Sequence, residues 1–319
     1  QDAAVAAAQE QANKIAKAQK QDPNFYHPAI ASIDTGTGAI LAMYGGPDFT
    51  TDFRNFATIQ RAAGSTFKPW ALVAGLRDGA SLSDQFNGDE FTPKGEKKPI
   101  NNAGNRYYGP VTLEKASTSS INSAYVDLVT QMKDGPNKVI KAATDAGLTD
   151  HKWQPVPGIA LGSAEVSPLE AARGFATLAN EGKRTTPHIV AEVKDLQGKV
   201  VYQPTINPEQ TIEPDVARNA IVALGVLGVT QDGTGSTAVR GLGYQVAGKT
   251  GTNFSDGETL ATWFVGTTRQ VSTAFILTAG PDARTNLGRN TYGSTYSTYG
   301  WNAYMKVAMQ GKEKINFPG

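Results

Sequence analysis

The order of patterns along this chain predicts an α+β fold: a mixed sheet with a helical lobe inserted between its strands. Three observations carry that expectation. Two apolar runs flank Asp34-Thr-Gly-Thr-Gly38 across residues 29–44, a hairpin signal with a glycine-containing turn. Residues 68–180 then read mostly helical. After Thr186 the pattern returns to strands, and residues 301–309 close the chain as a helix.

Taken in order, residues 1–21 are rich in Ala, Gln and Lys and hold no Gly or Pro. Propensity favours a helix there, against a frayed tail. Asp22-Pro23-Asn24 stops it. Gln1 rather than Met stands first and no signal-peptide pattern is visible, so the chain reads as a processed or excised piece entered by a connecting helix. In the helical block, residues 69–76, 113–132 and 168–178 are the periodic runs. Ser167 is placed as an N-cap, with Pro168 at the first helical position. Residues 84–109 are polar and Gly-rich, hence loop. Residues 189–193 and 199–202 flank Asp195-Leu-Gln-Gly198 as a second hairpin. A helix is expected over 216–226. Strands are expected from 244–247 onward, over 262–265 and over 271–277.

Composition narrows the function. The 319 residues carry 30 Lys+Arg and 29 Asp+Glu, a net charge of +1. That suits one large domain or two small ones, and it argues against a general nucleic-acid binder, which needs a basic excess. The longest apolar run, residues 220–229, is about half of a membrane span. With no Cys, disulfides, thiolate metal sites and Cys nucleophiles are excluded. His27, His151 and His188 stand far apart, so a His-rich metal site is not expected.

Three short motifs carry chemistry. Gly64-Ser65-Thr66-Phe67-Lys68 holds the only S-x-x-K. At a helix start, positions i and i+3 share a face, so the Lys68 amine reaches the Ser65 hydroxyl. A serine hydroxyl needs a base to become a nucleophile. Lysine serves only when desolvation, a nearby cation or the helix N-terminus lowers its pKa. Pro69 biases Lys68 away from α geometry, so a tightened first turn is expected. Ser120-Ile121-Asn122 is the only S-x-N. From a turn between helices Ser120 can relay a proton to a leaving amine, and the Asn122 amide can both donate to and accept from a substrate. Val246-Ala-Gly-Lys-Thr-Gly-Thr252 holds the only K-T-G. On a strand, Thr250 and Thr252 share a face and Lys249 takes the other. The hydroxyls suit a carboxylate, Lys249 adds charge from beneath, and Gly251 leaves room for a ligand backbone. The Thr252 and Ser65 N–H groups can form an oxyanion hole. Gly243 to Thr250 also fits a phosphate-loop pattern. That reading needs a helix directly after the loop, and turn-like residues follow instead.

Each motif alone is common. Once each and in this order they are specific, and the chain resembles the transpeptidase domain of class A (bifunctional) penicillin-binding proteins. The resemblance runs from Pro28 to the end. It includes Ala39-Ile-Leu-Ala-Met-Tyr-Gly-Gly46, Gly64-Ser-Thr-Phe-Lys-Pro69, Ala160-Leu-Gly-Ser163 with Ser167-Pro-Leu-Glu170, Asp232-Gly-Thr-Gly235 and Trp263-Phe-Val-Gly266. It implies a penicillin-binding-protein/serine β-lactamase-like fold, with an antiparallel sheet of about five strands flanked by helices and an all-helical lobe. It further implies a helical linker over 1–26 from a missing glycosyltransferase domain, a transpeptidase domain over 27–319, and a membrane anchor further upstream.

The implied function is D,D-transpeptidation of peptidoglycan stem peptides outside the cytoplasmic membrane, without a cofactor or a metal, and inhibition by β-lactams. Ser65 would be the nucleophile, Lys68 its base, and Ser120 with Lys249 the proton donor to the leaving D-alanine. Asn122, Thr250, Gly251 and Thr252 would bind the substrate. Residues 253–262 depart from the family's usual run. A serine β-lactamase or D,D-carboxypeptidase is the nearest alternative, with Glu165 or Glu170 as the water-activating base, and a non-catalytic penicillin sensor is the other. The tyrosines at 292, 296, 299 and 304 are expected to pack the last strand and helix.

Overall fold

The computed structural model describes residues 1–50, 52–225 and 233–318. The chain begins with helix α1 (Asp2–Gln19), which ends at Lys20 in the left-handed conformation. It is no frayed tail. Ala4, Ala8 and Ile15 are wholly buried along one face, and that face packs on the first strand and the last helix. Strands β1 (Tyr26–Asp34) and β2 (Ile40–Tyr44) form the expected hairpin. Its turn is tied by Asp34, whose Oδ1 accepts from the Gly36 and Thr37 N–H groups and the Thr37 hydroxyl.

Strand β3 (Arg61–Ala62) leads into a 3-10 turn, Gly64–Phe67, and then α2 (Lys68–Arg77). This is the tightened start that Pro69 foretold, with Lys68 itself still in right-handed helical geometry. Strand β4 (Gln85–Asn87) pairs with β5 (Pro110–Thr112), two short strands at the ends of the expected loop. The run 113–132 is two helices, α3 (Leu113–Ser119) and α4 (Asn122–Gln131). Ser120 breaks it by adopting φ 55°, ψ 43°, a left-handed conformation costly for a residue with a Cβ. Helix α5 (Gly135–Ala146) follows, then β6 (Glu165–Val166), which pairs with β3. In α6 (Pro168–Ala179), Ser167 and Glu170 form a reciprocal capping box.

Strands β7 (Lys183–Arg184), β8 (Val193–Lys194), β9 (Val200–Tyr202) and β10 (Glu209–Gln210) make small peripheral ribbons. The 189–202 hairpin is thus shorter than expected and exposed on both faces. Helix α7 (Pro214–Leu224) starts two residues before the expected 216–226. Of that expectation Val226 lies outside the described residues, as do residues 226–229 of the long apolar run. Strands β11 (Ala247–Ser255), β12 (Glu258–Thr267) and β13 (Val271–Ala279) and helix α8 (Thr298–Ala308) complete the chain.

The main sheet has the order β11-β12-β13-β1-β2, with every neighbouring pair antiparallel. The mixed sheet read from element order is therefore corrected: first and last strands pair side by side without a parallel crossover. One face packs on α6 and through it on the helical lobe of α2, α4, α5 and α7. The other packs on α1 and α8. Trp263 looks into the lobe-side core, whereas Phe264 meets Trp301 of α8 edge-on at 5.1 Å. Side chains of this size each contribute roughly 1.5–3 kcal/mol when fully buried. Of the four tail tyrosines only Tyr304 is core, at 3 % exposure. Tyr292 and Tyr299 are half exposed.

Candidate active site

The 3-10 turn bearing Ser65 is gripped from two sides by backbone. Ala63 N–H bonds Ala164 O and Gly64 N–H bonds Gly162 O, both at 3.0 Å. Gly64 has φ +54°, and a Cβ there would lie 2.6 Å from the Thr252 carbonyl oxygen. Gly162, at φ +81°, faces the Gly64 backbone so closely that no side chain fits. The Trp263 indole N–H adds a bond to Ala62 O at 3.0 Å. The turn is thereby fixed against edge strand β11. Ser65 itself is half-buried, and its hydroxyl makes no hydrogen bond among the described residues.

Lys68, one step into α2, is fully buried. Its Nζ bonds Ser120 O at 2.7 Å, Ser120 Oγ at 3.0 Å and Asn122 Oδ1 at 2.7 Å. Lys249 of β11, also fully buried, donates to the same Ser120 Oγ at 2.8 Å and to Thr250 O at 3.0 Å. The left-handed Ser120 is what turns both its carbonyl and its hydroxyl toward the lysines. All three motifs therefore meet at one hydroxyl.

Burial without a carboxylate partner penalises both ammonium groups. Desolvation, reinforced by the charge of Lys249, holds Lys68 well below the usual lysine range. Desolvation lowers Lys249 from 10.5 to about 7. The pair thus favours a neutral Lys68 beside a Lys249 that still takes a proton near neutrality. A neutral Lys68 has two N–H donors and one lone pair. It can donate to Ser120 O and Asn122 Oδ1 while accepting from the Ser120 hydroxyl.

The opposite face of β11 is built differently. The Thr250 and Thr252 side chains share it, as the alternation required. Thr250 Oγ1 lies 2.7 Å from Thr234 Oγ1, and Thr252 Oγ1 accepts the Gly293 N–H at 3.1 Å. Gly251 departs from expectation. A Cβ there would meet Ala63 O at 2.7 Å and Thr66 Cγ2 at 2.8 Å, so its missing side chain admits the nucleophile's own turn rather than a ligand backbone. Asn122 also departs. Both ends of its amide are engaged internally, Oδ1 by Lys68 and Nδ2 by Asn101 O at 2.9 Å. One N–H and one lone pair remain for anything else.

Sequence reasoning missed Thr234, Asn101, Gly162 and Gly293. Thr234 stood inside the quoted Asp232-Gly-Thr-Gly235, of which Asp232 lies outside the described residues. The phosphate-loop pattern at 243–250 fails structurally, since β11 runs on to Ser255 where a helix is required. Glu165 pairs with Arg284 at 2.8 Å. Burial raises Glu170, but hydrogen bonds from Ser167, His151 and Thr149 outweigh it and hold the carboxyl below its usual range. Among the described residues no three His, Asp or Glu side chains gather to hold a metal, and no helix is long and apolar enough to cross a membrane.

Known proteins show the same organisation. The family profile described as the penicillin binding protein transpeptidase domain matches residues 29–299. Penicillin-binding protein 1A of Neisseria gonorrhoeae is 31 % identical over 297 residues, covering 89 % of this chain and 36 % of that protein. Penicillin-binding protein 1A of Mycolicibacterium smegmatis is 32 % identical over 318 residues, covering 93 % and 39 %. The chain thus spans little more than a third of the curated relatives it matches. The structure of the PonA1 protein from Mycobacterium tuberculosis in complex with penicillin V superimposes with a TM-score of 0.86 at 30 % identity, over 98 % of this chain and 86 % of that one. With its antiparallel sheet, its helical lobe and its three converging motifs, the chain belongs to the penicillin-binding protein transpeptidase domain family.

Proposed function

We propose that this domain is a serine D,D-transpeptidase that cross-links peptidoglycan stem peptides and is blocked by β-lactams through an ester on Ser65. The observation that carries this reading is the meeting of two buried lysine amines on the Ser120 hydroxyl, beside the Ser65 turn. Acylation begins as the Lys68 lone pair turns from Ser120 to Ser65 and takes its proton. Ser65 Oγ bonds to the carbonyl carbon between the two terminal D-alanines, and the Ser65 and Thr252 N–H groups hold the developing oxyanion. As the C–N bond breaks, the departing amine takes the Ser120 proton, which Lys249 helps to replace. Asn122 keeps Lys68 oriented, and its remaining valences touch the peptide. Thr250 and Thr252 hold the terminal carboxylate. The amine of a neighbouring stem then attacks the ester carbon, gives up a proton and releases Ser65, so one amide replaces another. A β-lactam supplies the same carbonyl and carboxylate, with a leaving amine that stays tethered.

Hydrolysis needs a base for water. Glu165 and Glu170 are committed to Arg284 and to the helix cap, which supports transfer to an amine. In the whole protein we place this domain on the extracytoplasmic side of a bacterial membrane. There α1 follows a glycosyltransferase domain and an upstream anchor, with the unit boundary near residue 26. The test is the intact mass after benzylpenicillin beside Ser65→Ala, with D-alanine release from a stem peptide in the presence of an amine acceptor. One adduct, absent in the variant, together with repeated turnover is the expected result. Drug consumed without an adduct would mean a hydrolase. An adduct without peptide turnover would mean a sensor.

A further inference from the structure

Thr234 belongs to no catalytic motif, yet its hydroxyl is the partner of the Thr250 hydroxyl at 2.7 Å. It stands just before a 3-10 helix, Ser236–Val239, that is pinned to α8. Asn302 donates its two amide hydrogens to Ala238 O at 2.7 Å and Arg240 O at 3.1 Å, and Ala238 is fully buried. The segment that follows Thr234 is therefore held by the layer behind the sheet, whereas α2 of the helical lobe carries Lys68.

The consequence lies in hydroxyl polarity. A threonine hydroxyl has one proton and two lone pairs, whereas a carboxylate only accepts. Thr252 already accepts from the Gly293 N–H, which leaves its proton to be donated outward. Among the described residues no amide plays that role for Thr250. When Thr234 donates to it, its proton is held outward for a carboxylate. With the pair reversed, Thr250 would present lone pairs to an anion.

We propose that Thr234 is a specificity-positioning residue: its hydroxyl donates to Thr250 and so sets Thr250 as a donor to the free carboxylate of the substrate or inhibitor. This rests on the Ser65 acylation reading and extends it. Thr234 touches Thr250, not the reacting atoms.

The test uses the whole domain and two probes, benzylpenicillin and its methyl ester, which differ only in the anion. Rates of Ser65 acylation are followed by intact mass for the wild type, Thr234→Val and Thr234→Ser. The wild type is expected to favour the acid strongly. Thr234→Val should narrow the acid-to-ester ratio by roughly threefold to tenfold, chiefly through the acid, because Thr250 keeps its proton but loses the neutral hydrogen bond that orients and polarises it. Thr234→Ser, which keeps the hydroxyl, should restore the ratio. An unchanged ratio in Thr234→Val, or equal slowing of both probes, would overturn the inference and leave the acyl-enzyme reading standing. A wild type indifferent to the ester would overturn it too. No adduct in the wild type with either probe would sink the acyl-enzyme reading and this inference with it.

Discussion

Strand β11 presents two faces to the cleft, and they solve opposite problems. On the lobe side Lys249 is fully buried, and Gly251 is pressed against Ala63 and Thr66. Among the described residues no carboxylate bonds either lysine amine, and burial lowers the pKa of both. On the other side Thr250 and Thr252 have hydroxyls partnered by the Thr234 hydroxyl and the Gly293 N–H, and Thr252, as the acceptor, keeps its proton to offer. In the proposed reaction the first face changes protonation, and the second holds an anion without changing. One strand combines them because its side chains alternate, so neighbouring residues occupy different environments.

The strongest way to break this division is to remove the proposed base. Lys68→Ala should slow acylation of Ser65 by benzylpenicillin by about 10²–10⁴-fold, the usual range for a lost general base. A variant within threefold of wild type in stopped-flow or mass kinetics would move the base elsewhere.

Lys249→Met tests the cost of the dry face. Lys249 titrates near 7 when folded against 10.5 in its reference state. Between those values the unfolded chain binds more protons, so wild-type stability rises with pH across that window. The penalty is complete below about pH 7 and gone above 10.5. Lys249→Met escapes it. The variant should be more stable by roughly 2–4 kcal/mol at pH 6–7, with the advantage shrinking toward pH 10, while acylation falls. Thermal melts at pH 6, 8 and 10 decide it, and an advantage that grows with pH would refute the dry-face account.

The smallest effect is expected on the second face. Thr252→Val removes one donor and strands the Gly293 N–H. It should weaken acylation by carboxylate-bearing drugs about tenfold, with little change in pH profile. A shifted profile would show that the two faces are not separate.

Much of this was readable in advance, and the failures share a cause. Lys249, Thr250 and Thr252 could be assigned to faces because strand alternation is local. The tightened Ser65 turn was expected from Pro69, but Lys68 itself keeps helical geometry, so the constraint on the neighbour does not explain it. Gly251 was given the wrong neighbour, since nothing near it in sequence says that Ala63 fills the space. Asn122 was assigned wholly to substrate because Asn101, which fixes its amide, sits in a loop without periodicity. The periodicity of 113–132 gave no sign of the break that the Ser120 motif suggested, because the left-handed Ser120 is stabilised by tertiary bonds from two distant lysines. The resemblance supplied the antiparallel sheet that element order alone read as mixed.

Consider the stack of backbone from Gly162 through Gly64 to Thr252 and Gly251, continued by Gly293 against Gly251. Along this line neighbouring segments touch main chain to main chain, and a methyl group at any of the glycines would push the nucleophile out of register. Backbone packed this closely leaves no room for a side chain at those positions. The rim differs, since Thr234 meets Thr250 through a side-chain hydroxyl and not through packed main chain. The geometry therefore divides the site into a spine that admits no new side chain and a lip built from hydroxyls that can be exchanged.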